Sequence, residues 1–187
     1  MSIPEFDKGG LLQPGDYEVT FNELRSSVFV SGPQTPIAGW HADWRTYLVD
    51  QAELLVQQLW QIGVKEIFLN GSFVEDKPHP NDIDGYFVCD VREFASGEIQ
   101  RKLNALDPHS VWTWNPALRR PYRGYAKKQL PMWHLYRVEL YPHFGQTAGI
   151  RDRHGHELTF PSAFRLRRFT EEEKGIVKIV PQVGTTT

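Results

Sequence analysis

Cysteine is nearly absent from this sequence. Cys89 is the only one, so no disulfide bond can form within the chain, as is typical of proteins in a reducing compartment. Long apolar runs are also missing, since no stretch approaches the ~18 apolar residues of a membrane-spanning helix. Pro4, Gly9 and Pro14 interrupt the region where a signal peptide would have its apolar run. We therefore expect a cytoplasmic protein with no membrane association.

Neither sign of charge dominates. The 21 Lys and Arg residues nearly balance the 23 Asp and Glu residues, which excludes a uniformly basic nucleic-acid coat but allows a local basic patch. The hydrophobic content of 40% excludes a wholly disordered chain. We expect a single domain over residues 1–187. Within it we expect a loosely ordered arm at 1–16, a core at 17–144, and a C-terminal extension at 145–187 that ends in a disordered tail.

Apolar periodicity predicts helices and strands in alternation. The clearest helix has one apolar stripe formed by Trp44, Leu48, Ala52, Leu55 and Leu59. Helices are predicted at 22–30 after a Thr20–Glu23 capping box, at 40–62, at 91–106 and at 161–168; strands are predicted at 64–69, 82–88 and 133–141, and a hairpin at 145–160. Residues 107–131 give no clear prediction.

The segment 68–88 has the residues best suited to chemistry. Asp82 and Asp84 are one residue apart on a predicted strand, so both side chains point to the same face. A divalent cation is a common way to stabilise two carboxylates held so close. Gly71 permits close approach of the backbone, and Ser72 with the N–H groups that follow it suits a phosphate. The segment therefore predicts a site for a metal ion and a phosphate.

This arrangement resembles the nucleotidyltransferase superfamily typified by DNA polymerase β, in which Gly-Ser after an apolar strand precedes Asp-x-Asp on the next strand. Here nine residues, 73–81, separate Gly71-Ser72 from Asp82-Ile83-Asp84. A small bacterial branch of minimal nucleotidyltransferases is more similar still. Its Gly-Ser-Phe, Lys-Pro and Pro-Asn-Asp-Ile-Asp signature is present here at 71–73, 77–78 and 80–84, with Pro14-Gly15 and the run 174–177 as further matches.

The resemblance implies a nucleotidyltransferase fold, of the α+β (two-layer α/β) class, with a mixed β-sheet of about four to five strands and helices mainly on one face. It also implies that Asp82, Asp84 and a third carboxylate, Glu139, hold Mg²⁺ or Mn²⁺. Gly71 and Ser72 would bind the nucleotide phosphates, and Lys77 would neutralise phosphate charge. The implied reaction moves a nucleoside monophosphate from an NTP to a protein or RNA (tRNA) hydroxyl, in a toxin–antitoxin or phage-defence system.

A non-catalytic role stays open. The segment 112–133 interleaves Arg and Lys with Trp and Tyr, a composition that can bind a nucleic-acid backbone and stack on bases. The same residues could instead form a solvated loop or recognise an acidic partner protein. In the alternative hypothesis the chain is a nucleotidyltransferase-fold binding module, an antitoxin or adaptor, that acts through this aromatic and basic surface.

Overall fold

The structure, a computed structural model, describes residues 3–170 and 172–182. Its strands are β1 Asp16–Val19, β2 Ile67–Asn70, β3 Ile83–Val88, β4 Val138–His143, β5 Thr147–Arg151, β6 Glu157–Thr159 and β7 Ile176–Ile179. Its α-helices are α1 Phe21–Arg25, α2 Val28–Ser31, α3 Ala42–Gln61, α4 Val91–Ala95, α5 Glu98–Leu106, α6 Pro131–Tyr136 and α7 Phe160–Phe164, with 3-10 helices at Gly71–Val74 and Pro116–Leu118. The expected disordered tail, residues 183–187, lies outside the described residues.

Five of these strands form one mixed sheet in the order β1-β7-β2-β3-β4. The outer pairs, β1 with β7 and β3 with β4, are parallel, whereas β2 is antiparallel to both of its neighbours. Strands β5 and β6 form a separate antiparallel hairpin. The predicted α+β class and the predicted mixed sheet of four to five strands are therefore confirmed.

Helix α3 anchors the core. Leu48, Ala52, Leu55 and Leu59 from its predicted apolar stripe are fully buried, and they join the side chains of the sheet in one hydrophobic cluster. Each such leucine contributes roughly 1.5–3 kcal/mol of burial. In the ranges 3–170 and 172–182, no helix combines the length and the apolar character that a membrane crossing requires.

Two predicted helices are each divided in the structure. The helix predicted at 22–30 becomes α1 and α2, because Ser27 starts a second helix by accepting a hydrogen bond from the Phe29 N–H. The helix predicted at 91–106 becomes α4 and α5, because Gly97 has a left-handed backbone with a φ of 75°. The helical spacing of apolar residues in the sequence continues across both breaks, which is why a single helix was predicted in each case.

The strand predicted at 133–141 is wrong in its first half. Residues 131–136 form α6, with Pro131 in the first turn, where a fixed φ and a missing N–H favour a helix start. Arg137 then adopts a left-handed φ of 56° and ends the helix. Strand β4 begins directly afterwards at Val138, so Glu139 still lies on a strand.

Segments on both sides of the predicted core, at residues 11–12 and 176–179, pack on it. Leu11 and Leu12, from the expected loose arm, are buried, and Leu12 donates its N–H to the Val74 carbonyl. From the expected C-terminal extension, β7 enters the sheet between β1 and β2. The core predicted at 17–144 is therefore extended by segments on both sides, because β7 completes the sheet and covers apolar side chains that would otherwise face water.

The guanidinium of Arg45 on α3 is completely buried. It donates hydrogen bonds to four carbonyl oxygens, those of Phe29, Phe73, Glu75 and Lys77, at 2.6–3.1 Å. Burial lowers its pKa to about 9. Arg45 thereby ties α2 and the loop after Gly71-Ser72 to the main helix.

We expect Arg45→Met to destabilise the protein by about 3–5 kcal/mol, because the variant leaves buried carbonyl groups without donors. Arg25→Met is the matched control. Arg25 is partly exposed and pairs with Asp50 and Glu53 at the surface, so its loss should cost about 1 kcal/mol or less. Urea unfolding of both variants measures the difference. Equal losses would contradict the structural role given to Arg45.

Asp107, at the end of α5, is a second buried hub. Its carboxylate accepts hydrogen bonds from the Gln58 side chain, the Tyr136 hydroxyl and the backbone N–H groups of His109 and Val111. Burial alone would raise the pKa of Asp107, but these hydrogen bonds outweigh burial and lower it. Asp107 therefore holds α6 against α3 in its ionised form.

Because the folded pKa of Asp107 lies below its unfolded value, the stability it contributes is present above about pH 4 and is lost as the pH falls further. We expect the difference in unfolding free energy between wild type and Asp107→Asn to be constant at neutral pH and to shrink in acid. Urea unfolding across that range measures it. A difference that grew in acid would contradict this assignment.

Candidate active site

Three polar side chains lie in one row across neighbouring strands. Asp84 on β3 is in register with Asn70 on β2 and with Glu139 on β4. Adjacent strands are about 4.7–4.9 Å apart, so residues in register are direct neighbours on one face. Asp82 precedes β3 by one residue and lies two positions from Asp84. The structure therefore brings Asp82, Asp84 and Glu139 together at one end of the sheet.

The carboxylate of Asp84 accepts no hydrogen bond from any residue that the structure describes. Burial, together with the charges of Asp82 and Glu139, raises its pKa well above the ordinary value, while Lys174 and Arg168 act in the opposite direction. Negative charge is thus concentrated around a carboxylate that has no donor. This is the electrostatic setting in which a cation binds.

Helix α6 positions Asp82. The indole N–H of the buried Trp133 donates a hydrogen bond of 2.6 Å to Asp82 Oδ2. Burial raises the pKa of Asp82, and the hydrogen bond from Trp133 partly compensates. One oxygen of Asp82 is therefore fixed by the protein, and the other has no hydrogen bond within the described ranges.

Glu139 is held by three donors. The Leu130 N–H donates to Glu139 Oε1 at 2.9 Å, Arg119 reaches the same oxygen at 3.4 Å, and the Tyr141 hydroxyl donates to Oε2. The residue is only 4% exposed. Both of its oxygens are therefore engaged by the protein itself.

The fit of this site to a metal ion is uneven. In the part of the chain that the structure describes, no group of three or more His, Cys, Asp or Glu side chains is arranged to hold a metal. Asp82 and Asp84 offer carboxylate oxygens without donors, as a hard divalent cation requires. Glu139 is their neighbour, but its oxygens point to their own donors. The residues thus fit a cation on two carboxylates, with the predicted third ligand directly alongside.

Gly71 lies directly against Asp84. Its φ is +77°, and a Cβ at this position would be 2.8 Å from Asp84 Oδ2. Asn70 caps the 3-10 helix here, since its Oδ1 accepts the Gly71 N–H at 2.7 Å while its Nδ2 donates to the Gly175 carbonyl. The Gly71 N–H is therefore bonded to Asn70, and of the predicted phosphate-binding groups the Ser72 hydroxyl is the one to consider at this turn. The half-buried Ser72 has a hydroxyl without a hydrogen bond in the described ranges.

Lys77 is exposed on the loop between the two motifs. Its charge acts on Asp82 and opposes the rise in that carboxyl's pKa. Its carbonyl accepts the hydrogen bond from Arg45. The structure therefore places Lys77 on the side of the site where Asp82 lies.

Lys174 lies in the run 174–177, which belongs to the resemblance without a role for this lysine. Lys174 is 4% exposed, and its Nζ donates to the Gly71 carbonyl at 3.0 Å and to Glu75 Oε1 at 2.6 Å. Its charge also opposes the rise in the pKa of Asp84. Lys174 therefore links the turn at Gly71 to the segment that leads into β7.

Two surface cavities lie away from the carboxylates. One, of about 370 Å³, is lined by residues 62–66, 88–90, Glu93, Ile99 and Lys102. The other, of about 390 Å³, is lined by residues 5–8, Gly10, 33–35, Ile37 and Asp76. We call Asp82, Asp84 and Glu139 together the carboxylate row. None of these three residues lines either cavity, so the carboxylate row is distinct from both.

The fold and site define a small α+β protein with a row of acidic residues at one end of a mixed sheet. Residues 4–180 match the model of a family of unknown function, DUF6932, and the chain belongs to that family. A search of curated proteins and a search of solved structures each gave no match.

We expect Gly71→Ala to be more destabilising than Gly97→Ala. Both glycines have nearly the same left-handed backbone, so both variants incur a strain of roughly 1–2 kcal/mol. Only at Gly71 does the new methyl group meet a neighbour, the Asp84 carboxylate, whereas nothing lies within 4 Å at Gly97. Urea unfolding compares the two. Equal destabilisation would show that Gly71 and Asp84 are not in tight contact.

Proposed function

We propose that the protein is a metal-dependent nucleotidyltransferase that moves a nucleoside monophosphate from an NTP to the hydroxyl of a protein or RNA. One observation carries the proposal: Asp84, without a hydrogen-bond donor, lies between Asp82 and Glu139 and against the Gly71-Ser72 turn. Paired carboxylates beside a hydroxyl that has no hydrogen bond, that of Ser72, suit phosphoryl transfer. The family resemblance carried by the same residues adds support.

In this proposal Asp82 and Asp84 would hold Mg²⁺ or Mn²⁺, which when bound neutralises the triphosphate and stabilises the attacking and leaving oxygens. Ser72 would donate its free hydroxyl to a β- or γ-phosphate oxygen. Lys77, on the exposed rim beside Asp82, would attract the polyphosphate. The acceptor hydroxyl oxygen would bond to the α-phosphorus while the bond from that phosphorus to the α–β bridging oxygen breaks. The bridging oxygen leaves with pyrophosphate, and the hydroxyl proton passes to solvent.

Positioning residues complete the proposed site. Lys174 fixes the Gly71 carbonyl, so the turn that carries Ser72 keeps its place against Asp84. Trp133 fixes one oxygen of Asp82. A reaction of this type depends mainly on the placement of groups, so rigid contacts of this kind are what it needs. A toxin–antitoxin or phage-defence setting is part of the same proposal and rests on the resemblance alone.

One observation favours the second candidate, a non-catalytic binding module. Both oxygens of Glu139 are engaged by protein donors, as they would be in a site that no longer uses a third metal ligand. In that case the fold would act as an antitoxin or adaptor through its aromatic and basic surface. A transfer assay separates the two candidates.

We expect Asp84→Asn to reduce transfer at least about a hundredfold while leaving the protein as stable as the wild type in EDTA, or more so. The substitution removes a half-buried charge that has no donor and that Asp82 and Glu139 repel, so the fold gains or is unchanged while the metal site is lost. The assay supplies each α-labelled NTP with Mg²⁺ or Mn²⁺, total RNA and a protein extract. Thermal unfolding in EDTA gives the stability.

Asp43→Asn is the control, because Asp43 is an exposed carboxylate in the first turn of α3. It should change stability by about 0.5 kcal/mol or less and leave transfer intact. Transfer by Asp84→Asn at the wild-type rate would exclude the proposed catalytic site. Absence of transfer by the folded wild-type protein with every nucleotide would favour the binding module.

A further inference from the structure

Positive charge is concentrated in one segment of the chain. Residues 108–138 contain six Lys and Arg and no Asp or Glu, although the whole chain has a net charge of −2. Arg120, Arg123, Lys127 and Lys128 are exposed, and none of them forms an ion pair within the described ranges. Four cations without counter-charges on one short segment create a local positive field.

This segment forms a closed loop. The backbones of Arg120 and Gln129 exchange two hydrogen bonds of 2.8 Å, so residues 121–128 project as a hairpin-like loop. We call residues 119–129 the basic loop. Its rings, Tyr122 and Tyr125, pack edge-on to each other at 5.4 Å between centroids and rest on Trp133 at 5.0 and 4.9 Å. Tyr122 is nevertheless 40% exposed.

The base of the loop is bonded to the carboxylate row. Trp133, on which both tyrosines rest, donates to Asp82. Arg119, at the start of the loop, reaches Glu139 and also donates to the Tyr141 hydroxyl at 2.9 Å. A ligand lying along the loop is therefore adjacent to the site at which phosphoryl transfer is proposed.

We propose that the basic loop binds a single-stranded polynucleotide and presents its terminal hydroxyl to the carboxylate row as the acceptor. The inference rests on the proposed function for the acceptor role, whereas strand binding itself does not. Arg120, Arg123, Lys127 and Lys128 contact phosphates, and the exposed ring of Tyr122 stacks on a base. RNA and DNA strands share this chemistry, and the experiment distinguishes them.

A nucleic-acid strand fits the loop better than an acidic protein does. Either ligand would neutralise the four cations. Only a strand with unpaired bases would also stack on the exposed ring of Tyr122, which lies among those cations in the sequence. Base stacking on such a ring contributes about 1–3 kcal/mol. The guanidinium of Arg137 packs against the rings of Tyr122 and Trp133, at 4.3 and 4.0 Å from their centroids. This cation–π contact helps to hold the orientation of Tyr122.

The test measures fluorescence anisotropy of a short labelled single strand, as RNA and as DNA of the same mixed sequence, with the full chain. Arg123→Ala/Lys127→Ala/Lys128→Ala should weaken binding about tenfold or more and flatten its salt dependence. Tyr122→Ala should weaken binding about tenfold, and Tyr122→Phe should restore it because the ring is kept.

Lys65→Ala/Arg92→Ala/Arg101→Ala is the matched control. It also removes three exposed cations, but Lys65 and Arg92 flank β2 and β3 at the ends of those strands opposite the carboxylate row. Its affinity should stay within about twofold of wild type, because only cations near the bound phosphates affect binding. A loss equal to that of the loop variant would overturn the proposal, since binding would then follow net charge alone.

The outcomes also separate this proposal from the proposed function. Strand binding by the wild-type protein with no transfer would leave the loop assignment standing and remove the catalytic one, whereas Asp84→Asn should still bind the strand and lose transfer. Tighter binding of RNA or of DNA names the acceptor. Wild-type affinity in the loop variant, or binding of polyglutamate in place of both strands, would overturn the proposal. Transfer of label only to protein would overturn the acceptor role.

Discussion

The candidate site depends on the hydrogen bonds that the buried guanidinium of Arg45 donates to backbone carbonyls. A charge removed from water costs several kcal/mol unless protein groups replace its hydration. Here four carbonyls accept hydrogen bonds from the two terminal nitrogens, while Nε has no hydrogen bond within the described residues. Three of these carbonyls belong to residues 73–77, which connect the Gly71-Ser72 turn to Asp82. A polar loop of this composition would otherwise have many conformations. Arg45 therefore fixes the conformation of residues 73–77, and with it the position of the Gly71-Ser72 turn relative to Asp82.

Groups distant in sequence partly offset the negative charge around this frame. The three carboxylates repel one another, and the cations that oppose them come from separate elements: Arg119 before α6, Lys174 before β7. Lys174 also forms an ion pair with Glu75, within the loop that Arg45 holds. Release of either cation would leave buried negative charge uncompensated. The site thus combines a rigid backbone with an excess of negative charge at Asp84 that the protein itself does not neutralise.

Local patterns in the sequence were sufficient to predict the strands that carry the carboxylates. The alternation around Asp82 and Asp84, and the apolar neighbours of Glu139, correctly predicted strands, and strands in register bring carboxylates together. Lys174 was missed because 103 residues separate it from the Gly71 that it contacts, and no local period encodes a pairing at that distance. Helix α6 was missed because Leu, Tyr and Trp suit a strand as well; the helix-start signal was Pro131, two residues before the predicted strand.

The basic loop and the carboxylate row are one structural unit. Trp133 packs against the rings of Tyr122 and Tyr125, and its indole N–H donates a hydrogen bond to Asp82. Arg119 is both the first residue of the loop and a partner of Glu139. Substitution of either residue would therefore disturb the loop and the acid cluster together, whereas Arg123, Lys127 and Lys128 point to solvent and alter the loop alone. Because Trp133 is buried and Arg119 is half-buried, the position of the loop is set by the same contacts that orient the carboxylates. A ligand that displaces Trp133 or Arg119 would therefore also change the hydrogen bonds of Asp82 or Glu139.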